Sequence, residues 1–142
     1  MLNVLALVAV LLTGLYLAGL AALALVSPHR AIRFLSSFAS SAFAHFLELA
    51  VRLAAGAALV AYAPRMKFPG LFAVTGWVVV ATTIGLFVIP WQWHRRFALW
   101  SVPLATRNMA LFGLGSLAAG IFVLLSVVLG PGLEHWRLAI AS

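Results

Sequence analysis

A chain of 142 residues that is 65% hydrophobic and only 8% charged cannot cover a water-facing surface, since a soluble domain gives about a quarter of its residues to Asp, Glu, Lys and Arg. The net charge of +7 does not argue for nucleic acid, because the nine Lys and Arg stand singly or in pairs beside apolar segments, where they suit membrane orientation and contact with anionic headgroups. Cysteine is absent, which excludes disulfides, thiolate metal sites and thiol nucleophiles.

A hydrocarbon core roughly 30 Å thick takes about 20 apolar residues in a helix. The first window to meet this is residues 4–26. Ala22-Leu23-Ala24 imitates a signal-peptide cleavage site, but no Lys or Arg precedes the run and the run exceeds a signal core, so a retained span is expected. Gly14, Ala18 and Ala21 give it a small-residue packing face. Pro28 then predicts a bend. Beyond it Ala31, Phe34, Leu35, Phe38 and Ala42 recur at helical spacing, with Arg30, Arg33 and several serines around the remaining surface. This pattern predicts an amphipathic helix in the membrane interface, with Arg30 and Arg33 reaching lipid phosphates.

The second window, residues 42–63, holds the polar constellation. At 100° per residue His45, Glu48 and Arg52 fall within about 60° of one another, and Ser41 and Gly56 extend the stripe. A charge near mid-span costs between ~3 and more than ~10 kcal/mol, so this face is expected to point into the bundle. Glu48 precedes Arg52 by four residues, the favourable order for a helical ion pair. Gly56 and Ala55 are expected to leave room beside the helix for a binding function; a structural role, the favoured arrangement, instead predicts a stripe sealed by side chains of the first or fourth helix, with Ser116 or Thr13 as polar neighbours. No metal or haem cofactor is expected, because His45 is the only one of His29, His45 and His94 within a span, and no paired-histidine spacing occurs.

Residues 71–89 and 109–129 form the third and fourth windows. Thr13, Thr75, Thr82 and Thr83 are expected to bond carbonyls of their own helices in preference to lining a solute path. Between these windows Trp93, Phe97, Trp100 and Leu104 form a stripe opposed by Arg95 and Arg96, a second predicted interfacial helix with headgroup contacts. Gly113, Ser116 and Gly120 give the fourth span its small face. His135 and Trp136 follow in a short tail, residues 130–142.

Two stretches look like one hairpin written twice. Thr13-Gly14 and Thr75-Gly76 each stand fourteen residues before a proline, Pro28 and Pro90, at an offset of 62. Leu53-Ala54-Ala55-Gly56 recurs as Leu117-Ala118-Ala119-Gly120 at an offset of 64. The expected fold is therefore an all-α integral membrane domain over residues 1–142. It is a four-transmembrane-helix bundle of two parallel hairpins, about 4–63 and 71–129, each with an interfacial amphipathic helix.

Arg30, Arg33, Arg95, Arg96 and Arg107 flank one side of such a bundle and Arg65, Lys67 and Arg137 the other. This bias puts both termini outside a membrane, expected to be the bacterial inner membrane. The leading expectation for function is a non-catalytic oligomeric or accessory subunit of a membrane assembly, partnered by lipid and by itself or another membrane protein, with no nucleic acid. The alternative is a small transporter or binder of an anionic lipid or solute using His45, Glu48 and Arg52. Enzymatic work is disfavoured, since the chain has no Asp and a single carboxylate within its spans.

Overall fold

The computed structural model describes residues 1–38, 41–90, 92, 93, 96 and 107–134, and these contain five α-helices and two short 3₁₀ turns. Four helices, α1 (Leu2–Val26), α3 (Ala42–Tyr62), α4 (Pro69–Val88) and α5 (Met109–Val128), are each long and apolar enough to cross a membrane, the build of a multi-pass membrane protein. The fifth, α2 (Pro28–Ser37), is short and polar on its outer side.

Local chemistry sets the boundaries. Ser27 leaves the helical region between α1 and α2, and Pro28 opens α2 at the position where its missing N–H costs nothing. The Ser41 hydroxyl accepts from the Ala44 N–H at 3.1 Å and caps α3. Pro69 likewise opens α4, and α4 ends before Ile89, which is extended because Pro90 follows it.

The four long helices alternate in direction and form a ring in the order α1, α3, α4, α5. α1 packs against α5 and α3, and α3 against α4. Two of these seams bring backbones together at glycine. A Cβ on Gly120 would lie 2.9 Å from the Gly14 carbonyl and 3.0 Å from the Ala18 nitrogen, and one on Gly76 would lie 2.8 Å from the Gly56 carbonyl and 2.9 Å from the Val60 nitrogen. Only a residue without Cβ permits such approaches.

One end of the ring is closed. Ala6, Val10, Ala58, Leu59, Tyr62, Ala63, Met66, Phe72, Val123 and Val127, drawn from all four long helices and the 63–66 turn, form its buried core. The Lys67 N–H donates to the Ser126 carbonyl at 3.0 Å, which ties the α3–α4 turn to the end of α5. Here Phe122 of α5 stacks on Phe68 and Phe72, at centroid distances of 5.7 and 5.5 Å. At the opposite end a smaller cluster of Ala24, Ala31 and Met109 fixes α2 near the junction of α1 and α5.

The direction of α2 departs from a helix standing out along the membrane plane. Tyr16 precedes Pro28 by twelve residues, about 18 Å of helix, yet its ring lies 6.5 Å from that of Phe34. Two aromatic side chains cannot bridge that separation from a perpendicular helix. α2 therefore doubles back along α1, with Ala31 buried, Ile32, Leu35 and Phe38 half-buried, and His29, Arg30 and Arg33 exposed. The second predicted interfacial stretch falls largely outside the described residues, including His94, Arg95, Phe97, Trp100 and Leu104; Trp93 and Arg96 are described and exposed.

Candidate functional site

The polar face of α3 points inward. His45 is 1% exposed, and Leu49, Gly56 and Leu59, which share its side of the helix, are also buried. Arg52 stands at the middle of the 21-residue helix, about 15 Å from its start. Its Nη1 donates to Glu48 Oε1 at 3.3 Å, so the expected pair is formed. The His45 ring lies 5.4 Å from that of Phe46.

The pair is not sealed, however. The Arg52 side chain is 42% exposed and that of Glu48 23%, although both lie on the inward stripe. An i,i+4 pair on a helix surface contributes about 0.3–0.5 kcal/mol, far too little to offset the ~3 to more than ~10 kcal/mol cost of an arginine in hydrocarbon. The accessible part of Arg52 thus requires water, an anion or a polar partner group. Of the two hydroxyls expected as polar neighbours, Thr13 Oγ1 donates to the Ala9 carbonyl at 2.8 Å and Ser116 is half-buried on α5. Gly56 also differs from expectation, since it leaves no room. A Cβ there would meet Val79 and Val80 at 3.0 Å and the Gly76 carbonyl at 3.1 Å, so the space beside Arg52 comes from elsewhere.

Among the described residues the α4–α5 seam is the least closely packed of the ring. Beyond the Phe122 stack α4 and α5 share almost no close backbone approach. Counting in helical steps from Phe68 and Phe72, the α4 positions facing α5 are Thr75, Val79, Thr82 and Leu86, and both threonines are exposed. The corresponding α5 positions include Ala119, which is exposed, and Gly115, where an added Cβ would touch nothing within 4 Å. Thr82 and Thr83 donate to carbonyls of their own helix, as expected of membrane hydroxyls, at 2.7 and 2.6 Å to Val78 and Val79.

Tyr16 belongs to the site although its sequence context did not single it out. Its phenol lies within electrostatic reach of Glu48 across the α1–α3 seam, and its ring meets Phe34 of α2. The available clue was a hydroxyl-bearing aromatic in the middle of an otherwise aliphatic span. Arg30 and Arg33 occupy α2 at the end of the ring remote from the closed core, and Arg95 lies outside the described residues. Among the described residues no three metal-ligating side chains converge. Comparison of the chain with models of protein families, with curated proteins and with solved structures gave no match in any of the three.

Proposed function

We propose that this chain is a non-catalytic membrane protein that binds an anionic group, carried by a lipid or a small solute, in a crevice at Arg52. The observation that carries the reading is the Arg52 side chain, 42% exposed at the middle of α3. A subunit whose polar stripe served packing alone would have enclosed it. Glu48 accepts from Arg52 and holds it in place, while buried His45 lies one turn nearer the open end. Arg30, Arg33 and the Arg95-Arg96 pair supply headgroup contacts at the rim, where the outer side of α2 meets the membrane interface. The bacterial inner membrane, with both termini outside, remains the location that the charge bias favours.

Duplication of a hairpin underlies the proposed architecture, and the glycine contacts support it. A Cβ on Gly14 would meet Leu124 and Gly120, and one on Gly76 would meet Val60 and Gly56. Gly120 faces Gly14 and Ala18, while Gly56 faces Gly76 and Val80. Adding 62 to each α1 position and subtracting 64 from each α5 position converts every contact of the first set into one of the second. The offsets are those of the sequence repeat, as two parallel hairpins related by an axis along the bundle would require.

The test uses the absence of native cysteine. In reconstituted vesicles Glu48→Cys should react with an anionic thiosulfonate several-fold faster than with a cationic one of similar size, because Arg52 attracts the former. Inorganic phosphate should slow that reaction. Val51→Cys, on the exposed outer side of α3, should react with neither. Equal rates for the two reagents at position 48, or no reaction there, would defeat the anion-binding reading.

A further inference from the structure

We propose that Arg30 and Arg33 of α2 and Arg107, two residues before α5, form one site for a phospholipid of net negative charge, at the corner where α1 turns into α2. The site rests on the reading of the α2 arginines as headgroup contacts and adds a third arginine and a ligand class; it does not depend on Arg52.

The register of the α1–α5 seam brings the three together. Gly14 lies against Gly120 and Ala24 against Gly113, so the two helices run antiparallel and α5 starts where α1 ends. Met109 stands one turn before Gly113, and it is buried in one cluster with Ala24 and with Ala31, the residue next to Arg30. Arginines from opposite halves of the sequence thus share one corner. Arg30, Arg33 and Arg107 are all exposed there.

The corner has no acid of its own. The chain carries two acidic side chains, Glu48 and Glu134. Glu48 accepts from Arg52, and Glu134 follows Gly132, which packs on Arg65 and Tyr62 at the closed end of the ring. No acidic side chain is left to neutralise three guanidinium groups. The depth of the corner makes the source of the counter-charge a lipid: α1 has 25 residues, roughly 37 Å of helix against a hydrocarbon core of ~30 Å, so its last residues reach the headgroups. Leu25 and Val26, 43% and 81% exposed, offer apolar surface to the first methylenes of the acyl chains. A zwitterionic headgroup would bring an ammonium into a cluster of like charge. A headgroup of net negative charge brings phosphate alone, which guanidinium groups bind through paired, charge-assisted hydrogen bonds.

The experiment places a small fluorophore on a single cysteine, Val26→Cys, in the full chain reconstituted into phosphatidylcholine vesicles. Quenching by phosphatidylglycerol brominated on its acyl chains is compared with quenching by brominated phosphatidylcholine. Phosphatidylglycerol should be enriched beside Val26 about tenfold, and Arg30→Gln and Arg107→Gln should each lower that enrichment about fivefold, the worth of one arginine at an anionic surface. Arg107→Lys keeps the charge and should keep most of the enrichment, which separates loss of the cation from loss of the fold. Lys67→Gln removes a positive charge at the opposite end and should change nothing. Equal quenching by the two lipids, enrichment that Arg107→Gln leaves intact, or an equal drop in Lys67→Gln would each overturn the corner site. Displacement by millimolar inorganic phosphate would make the ligand a water-borne anion and overturn the lipid assignment. The thiosulfonate rates at Glu48→Cys read Arg52 alone, so either result can fail while the other stands.

Discussion

Glycines that look alike in the sequence do different work in the bundle. Gly76 and Gly120 face backbone atoms of the neighbouring helix at 2.8–3.0 Å, where a methyl group forces two helices apart. Gly14 faces the end of the Leu124 side chain, which can rotate aside, and Gly19, Gly85 and Gly115 face open space. Over-packing costs typically ~1–3 kcal/mol, whereas replacing an unconstrained helical glycine by alanine gains up to about 1 kcal/mol. Thermal unfolding in detergent should therefore rank Gly76→Ala and Gly120→Ala as clearly destabilised, with Gly14→Ala in between. Gly19→Ala and Gly85→Ala should be unchanged or slightly more stable. Uniform destabilisation across the series would mean that the ring order is wrong. The motif containing Gly56 and Gly120 was visible in the sequence, as was the Glu48–Arg52 pair, because both follow from helical spacing alone. That Gly56 is filled and Arg52 open was not visible, because each depends on how far apart two other helices stand.

At the level of elements, spacing and punctuation carried most of the information. The four apolar windows match the long helices to within two residues at each end, and Pro28, Ser41 and Pro90 mark boundaries for the reasons already given. The apolar stripe of α2 was also legible, and Ala31 at its centre is buried. Its direction was not, because a stripe specifies which face packs and not against what. α2 turns back on α1, and the ring contacts of Phe34 with Tyr16 and Phe38 follow from that turn. In a bilayer the double variant Tyr16→Cys and Phe34→Cys should be joined efficiently by a short bifunctional thiol reagent. Tyr16→Cys paired with Arg33→Cys, on the exposed side of α2, should not. Equal yields would place α2 away from α1 and detach Phe34 from the site.

In the whole molecule the tight pairs do not coincide with the hairpins. Each glycine seam joins a helix of the first hairpin to one of the second, α1 with α5 and α3 with α4, so neither hairpin contains its own closest contact. The α1–α3 and α4–α5 seams, which the proposed repeat would make equivalent, differ: the first is the more closely packed, while the second is joined chiefly at the Phe122 stack. This asymmetry accompanies the chemical one, since the α5 positions matching His45, Glu48 and Arg52 are Met109, Phe112 and Ser116. On the proposed duplication, one copy of the hairpin keeps an apolar interior and the other carries the charge. The arrangement demands that Arg33 and Arg96 share one face of the membrane and Lys67 the other, as alternating spans require. With the positive-inside bias, single cysteines at Arg33 and Arg96 should react with an impermeant thiol reagent only after the inner face is exposed, and one at Lys67 should react in intact cells. A mirror-image pattern would reverse the orientation alone; reaction of all three from one side would dismantle the four-span arrangement and, with it, the depth assigned to Arg52.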